Sequence, residues 1–440
     1  MDNQESAKTH PTPLHLQFED YEGRAEILGE LHARPFEKIT VPRRVFLMAF
    51  MTTKDEARLD RENIKKLAIT HGMAPPAETS NFHSVKIGKW NFRWEQHNEF
   101  TSYRWDVEDT GEDDFGGDNG ARLLSEIEFQ PPGKLIVATQ LKITKDEHPV
   151  SYYEKVFNPN SLCMIKTDRE KARVITDFQV DTMGFTQFII EDHAMSQFRA
   201  GALVQRVLEV EIYRTLALLG LPVAKRALPV VNSTQDELAH LTAEIAAAKS
   251  IEDNHQLLNT LTDLAAKLEA QAAVTSFRFG ASIAYNDIVM SRLQSMHEGS
   301  VDGARRFSSF FRRRLSPAIS TCKMVEERQT ALSRKLMRTA ELLRTRIQFE
   351  LEQQNRDLLT SMNKRARLQL RLQQTVEGLS VAAVSYYIVG LIKYMTEGLY
   401  KSDLTFGISP TLLTALSVPF VIFAIWMVTR QIHKRFTEHD

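Results

Sequence analysis

The chain has 440 residues, with 55 Lys plus Arg against 56 Asp plus Glu and a formal net charge of −1. That balance gives no global basic field and argues against a nucleic-acid partner. Hydrophobic residues make up 43%, enough to bury a core, and the two cysteines, Cys163 and Cys322, lie in no CxxC or Cys/His pairing, which excludes a Cys-based zinc site.

The first residues, MDNQESAKTHPTP, are polar and lack an apolar secretory core. They read as a disordered tail over 1–13 ahead of a domain that stays in the cytoplasm. Leu14–Arg34 has helical spacing and stops at Pro35, Val45–Met51 reads as a buried strand, and Lys54–His71 as a helix closed by Gly72. Short strands follow at Phe82–Ile87, Asn91–His97 and Phe100–Val107. After an acidic, glycine-rich loop from Asp109 to Gly120 come Leu135–Ile143, Leu162–Lys166, Ala172–Val180 and Phe185–Glu191. Residues 14–193 thus form a cytoplasmic α+β domain.

From Ser196 the pattern is helical, and 194–377 is a long-helix, coiled-coil-like stalk region. A first helix ends at Gly220 and Pro222. Asp236–Ala273 has heptad-like spacing with a slip near Ser250, and Val274–Glu298 reads as a further helix. Ser316-Pro317 opens the longest segment: Ala318 to Glu377 contains neither Gly nor Pro, which as helix is ~90 Å long. An apolar stripe runs along it through Leu343, Ile347, Leu351, Leu358, Met362, Leu368, Leu372 and Val376. Such a stripe needs partner helices from the same chain or from other subunits, which makes a homo-oligomer a candidate assembly.

Two apolar stretches end the chain, 378–400 and 408–429, joined by a short loop at 401–407 and followed by a basic tail at 430–440. Each is long enough to span ~30 Å of hydrocarbon, so the pair reads as a transmembrane hairpin. Lys364, Arg365, Arg367 and Arg371 precede it, and Arg430, His433, Lys434 and Arg435 follow it. Both basic flanks belong on the cytoplasmic side, so both termini face in and the loop faces out.

Four segments, LHARPF (Leu31–Phe36), HNEF (His97–Phe100), AGALVQRVLEVEIYRTLALLGLP (Ala200–Pro222) and QQTVEGLSVAAVSYYIVGL (Gln373–Leu391), resemble the bacterial domain-of-unknown-function family 3422. The resemblance implies a membrane-anchored protein of the bacterial inner membrane. Asn98 stands where the family pattern has Thr, and Ala202 where it has Arg. An anion-binding role for that Arg therefore does not carry over.

Familiar catalytic signatures (GxSxG, Walker A, GxGxxG, HExxH) do not occur, and no cofactor or metal is expected. His97 and Glu99, two apart in a strand-like segment, share a face and with His32 and Arg34 would form a polar pocket. The bland alternative, ordinary hydrogen-bonded side chains, is preferred, because spacing fixes no third ligand. The acidic loop is read as solvated rather than as a cation site, since EF-hand spacing fails. Arg305–Leu315 places Phe307, Phe310 and Phe311 on one helical face among arginines. Such a segment is either an amphipathic helix resting on anionic lipid or a bundle helix with a charged outer face; Arg312, Arg313 and Arg314, like Arg365, Arg367 and Arg371 further on, are candidate lipid contacts. Gln373, Gln374 and Glu377 form a polar face at the membrane entrance, which would line the cytoplasmic mouth of a pore or, in the preferred reading, lie at headgroup level in a simple anchor.

The expectation is a non-enzymatic, membrane-anchored scaffold or interaction protein whose first partner is the bilayer. The alternative is a homo-oligomeric channel or transporter similar in layout to CorA-type magnesium transporters. Their Gly-Met-Asn motif is replaced here by Tyr394-Met395-Thr396-Glu397-Gly398.

Overall fold

The computed structural model describes residues 21–24, 37–77, 80–111, 130–401 and 409–437. The expected tail at 1–13, most of the helix at Leu14–Arg34 with its His32 and Arg34, the acidic loop beyond Gly111 and the inter-span loop after Lys401 lie outside them. The chain divides into two compact units, Met1–Ala243 with Thr260–Arg338, and Glu244–Asn259 with Thr339–Asp440.

The first unit is built on one eight-stranded sheet: β1 (Arg43–Met51), β2 (Phe82–Ile87), β3 (Trp90–Gln96), β4 (Phe100–Glu108), β5 (Lys134–Thr144), β6 (Cys163–Thr167), β7 (Ala172–Thr176) and β8 (Thr186–Asp192). Their spatial order is β2-β3-β4-β1-β5-β8-β7-β6, and every neighbouring pair is antiparallel except β5 with β8. Strand alternation sorts the core. Val45, Leu47 and Ala49 of β1 face one side, against Leu203, Val207 and Val210 of α3 (Gln197–Leu218). Phe46 and Met48 face the other, with Phe92, Trp94, Tyr103 and Trp105, against Ile64 of α1 (Lys54–Thr70). A second helix on that side, α2 (Val150–Val156), inserts Tyr153 over Met164, Ile175 and Ile189. Sequence spacing did not reveal this seven-residue helix, which is too short for a periodic signature.

The remaining elements are helical. Here α4 (Gly220–Ala247) starts directly after α3, separated from it only by Leu219. The expected stop at Gly220 and Pro222 is therefore only a one-residue interruption at Leu219, whose backbone is itself right-handed helical and whose N–H donates to Leu216 O. Pro222 sits in the first turn, where its missing N–H breaks no helical bond, and Gly220 lets α4 approach Ser282 and Cys322, whose Oγ and Sγ would lie 2.6 and 2.9 Å from an added Cβ. The next boundary also differs from the sequence reading. The slip near Ser250 is a turn, with the Ser250 hydroxyl accepting from Asp253 N at 3.0 Å. From there α5 (Ile251–Met296) runs unbroken through Ala273 and Val274. Then come α6 (Phe307–Arg314), α7 (Ser316–Lys401) and α8 (Pro410–Thr437).

In the second unit, Arg346 of α7 closes the end of α4. It donates to Ile245 O at 2.9 Å and Ala248 O at 2.8 Å, satisfying carbonyls that a helix C-terminus leaves open. Leu343 and Ile347 are buried, at 1% and 5% exposure. Beyond them, from Leu351 to Val376, every residue of α7 is exposed.

Candidate functional site

The first unit contains a charged pocket between the sheet and α3. Inward-facing positions of β3 and β4 carry Arg93, Glu95, Ser102, Arg104 and Asp106, where alternation would place apolar side chains. Arg93 stands directly opposite Arg104 in the strand register. Like charges so placed repel, and three carboxylates compensate them. Glu37 pairs with Arg104 and lies 3.8 Å from Arg93. Glu95 accepts from Arg93 Nε at 2.5 Å. Asp106 lies 3.4 Å from Arg104 and accepts from Arg43 at 2.6 Å and Asn91 Nδ2 at 2.8 Å. Glu37 is held in place from behind by α3. Ile39 N donates to Gln197 O at 3.0 Å, and an added Cβ on Gly201 would sit 1.8 Å from Glu37 O. Only glycine permits that approach.

The cavity lined by Arg93, Glu95, His97, Arg104, Gln205 and Tyr213 has a volume of about 50 Å³. Among the described residues, the buried Arg104 Nε and Gln205 Oε1 find no hydrogen-bond partner. A cavity of this size and polarity suits one or a few bound waters. The guanidinium charge is already neutralised from within. Among the described residues no group of three or more His, Cys, Asp or Glu is placed to hold a metal ion. Burial pushes the Cys163 thiol up to about 12, which keeps it protonated and unreactive.

The structure separates His97 from Glu99. They do not share a strand face: β3 ends at Gln96 and β4 begins at Phe100, so both lie in the hairpin turn. His97 turns inward, stacked on Phe100 with ring centroids 4.1 Å apart and 3.7 Å from Glu95. Glu99 turns to α5, where it pairs with Arg278 and accepts from Tyr285 OH at 2.9 Å. Burial, and then this hydrogen bond, push the Tyr285 phenol up. Sequence reasoning missed Glu37, Arg93, Arg104, Arg278 and Tyr285. The usable signal was charge inside aromatic strands, WNFRWEQ and FTSYRWDVE, which marks a buried ion network once both faces of the sheet are covered.

In α6 the aromatic face is already occupied. Phe307, Phe310 and Phe311 pack on Phe178 at 4.9–5.0 Å, while Arg312, Arg313 and Arg314 are exposed. A lipid role for α6 would therefore rest on the arginines alone.

The second unit holds the apolar helices. The helical runs Phe307–Leu399 and Pro410–Gln431 each contain a stretch long and apolar enough to cross a membrane, with mean hydropathy 1.5 and 2.2, and each stretch is only 6% buried. Between α7 and α8 lies a cleft of about 450 Å³, mostly apolar, with Glu377, Ser380 and Thr429 among its lining residues. Elsewhere along this pair the Thr396 and Thr414 hydroxyls lie 3.4 Å apart. Gln373 and Gln374 are exposed, as are Arg365, Arg367 and Arg371.

The family described as "Protein of unknown function (DUF3422)" matches residues 19–436. The chain belongs to that family. No curated protein and no solved structure matches it. The DUF3422 match spans both the sheet domain and the apolar helices, so the two are parts of one family unit rather than a domain with an unrelated appendage.

Proposed function

We propose that this DUF3422 chain is a non-enzymatic interaction protein of the bacterial inner membrane. In this reading its spans lie at 378–400 and 408–429, and its sheet domain (14–193) and helical region (194–377) are cytoplasmic. The observation that carries the reading is the exposure of the two apolar helices. Tyr386, Tyr387, Leu391, Phe420, Phe423 and Trp426 are all about half exposed or more, whereas the sheet buries side chains of the same types almost completely. Each large apolar side chain left in water forgoes roughly 1.5–3 kcal/mol, and a lipid phase removes that penalty along both helices at once. Basic residues flanking both spans support an orientation with both termini inside. Lys393, the one basic residue within 378–400, lies 4.0 Å from Glu397 one turn on, so each charge has a partner near the outer end of the span.

The interaction role, rather than catalysis, is supported by the charged pocket, whose arginines are matched by fixed carboxylates. The apolar lining of the cleft between the spans favours an anchor over a transport path. The test is alkaline carbonate extraction of membranes holding the full chain, together with a reporter active only in the periplasm. Retention in the pellet, with the reporter silent after Asp440 and active in the 401–407 loop, is the expected result. Release into the supernatant would refute the anchor, and an active reporter after Asp440 would reverse its orientation.

A further inference from the structure

The exposed part of α7 carries a seven-residue repeat. Leu351, Leu358, Arg365, Leu372 and Leu379 fall at intervals of seven, and Asn355, Met362, Gln369, Val376 and Ala383 follow each of them by four. These are the d and a positions of a heptad, the pattern that faces a helix toward a partner helix. Within the single chain that seam is open. Leu351, Leu358, Met362, Leu368, Leu372, Val376 and Leu379 are 44–71% exposed, and no described residue covers them.

We infer that Leu351–Leu379 forms a parallel, in-register two-stranded coiled coil with a second copy of this chain. Three features select that occupant. The first rests on the membrane anchor proposed above. Two copies held by the same hairpin in one bilayer share direction and height, so each seam residue meets its own counterpart. The second is the placement of polar layers. Asn355 at an a position, and Arg365 with Gln369 one layer on, would be unmatched against an arbitrary apolar partner. In register, Asn355 meets a second Asn, the pairing that fixes alignment and favours two strands, especially with leucine at d. The Gln369 amide oxygen is an acceptor beside the Arg365 layer, and a long guanidinium side chain can reach the edge of the seam.

The third feature is charge. The e and g positions flanking the seam decide which partners repel. From Gln354 to Thr375 they hold Gln354, Leu359, Ser361, Ala366, Leu368, Gln373 and Thr375, none of them charged. Arg356, Asp357, Lys364, Arg367 and Arg371 all fall at b, c or f, on the outer side. Glu352 is the one charged flanking residue, at the start of the seam, and Arg365 at d meets its own counterpart; from Gln354 to Thr375 the flanks add no like charge to that layer, while Leu359 and Leu368 widen the apolar strip. Leu370, at an outer position, is the single large apolar residue that departs from the pattern.

The experiment places single cysteines in the full-length protein and oxidises native membranes after an alkaline wash. Cys163 and Cys322 are buried and remain in place as silent thiols. Met362→Cys and Val376→Cys lie in the seam, and Asn363→Cys and Gln374→Cys lie outside it. All four positions are exposed in the single chain, so none of the substitutions removes a core contact. The expected result is a shift of the seam variants to twice the chain mass on a non-reducing gel, with the outer variants remaining monomeric. Adding Leu372→Asp should abolish the shift of Met362→Cys. Seam variants that stay monomeric while pelleting with the washed membrane would overturn the coiled coil and leave the anchor standing. Equal linking at all four positions, or linkage to a chain of another size, would overturn it as well. Release of the protein by the wash would instead refute the anchor, and with it the shared orientation on which the parallel pairing rests.

Discussion

Asp60 offers the sharpest quantitative test of how the sheet holds its first helix. It projects from α1 into the aromatic face of the sheet and is 1% exposed. There it accepts from Trp94 Nε1 and Tyr103 OH, each at 2.6 Å. Asp60→Ala leaves two buried donors without an acceptor, each costing about 1–3 kcal/mol. Removing the carboxylate also removes its own burial penalty, which offsets part of that loss, so the net destabilisation should be about 2–4 kcal/mol. Asp60→Asn keeps one acceptor and should cost about half as much. Burial raises the Asp60 carboxyl above its ordinary value, against the lowering effect of the two hydrogen bonds. A raised folded pKa stabilises fully below the unfolded value of 3.8 and loses that contribution as pH rises through the folded value. The deficit of either variant should therefore be larger near pH 4 than near pH 8. Urea unfolding in mild detergent, followed by tryptophan fluorescence, reads this directly, because Trp90, Trp94 and Trp105 lie in the sheet and only Trp426 lies elsewhere. An Asp60→Ala variant within about 0.5 kcal/mol of the parent, or a deficit that does not change with pH, would refute the reasoning.

Other expectations follow from the same structure. Leu343→Asp would place an unpaired charge at a buried position and should destabilise the helical region by on the order of 3–5 kcal/mol, read as a lost or sharply lowered thermal transition. Glu99→Ala strands Arg278 and the Tyr285 hydroxyl and should cost about 2 kcal/mol, with Glu99→Gln recovering part of it through the tyrosine bond; equal losses in both would show that the tyrosine bond contributes nothing. Gly201→Ala forces Glu37 away from α3 and should lower stability by roughly 2 kcal/mol or more, with faster hydrogen exchange at Ile39, whose amide donates to Gln197 O.

The eight strands were legible because each alternates or runs apolar between turn residues, and their ends shifted by only a few residues on folding. The long helix beginning at Ser316 was legible for the opposite reason, an absence of breakers. What escaped was non-local. Nothing in the spacing of His97 and Glu99 reveals that a hairpin turn intervenes, or that Glu99 finds Arg278 and Tyr285 more than 170 positions away. The boundary at Ser250 looked like a register slip because heptad-like apolar spacing continues on both sides of the turn. Glu37 joins the ion network only because Gly201, far along the chain, has no side chain to keep it out.

The position of β1 bears on synthesis. Among the described residues it is the earliest strand, yet it lies between β4 and β5, and those partners are made later. At 5–20 residues per second, the 57 residues from Met51 to Glu108 take roughly 3–11 s to emerge. During that interval β1, with its run of Val45, Phe46, Leu47, Met48 and Ala49, has neither edge paired. The half-sheet β2-β3-β4-β1 can close as soon as β4 is out, but its open β1 edge waits for β5, and β8, β7 and β6 can join only after that. An apolar strand with two free edges is a template for pairing with other chains, and shortening the chain before Thr144 would leave that edge open to aggregation.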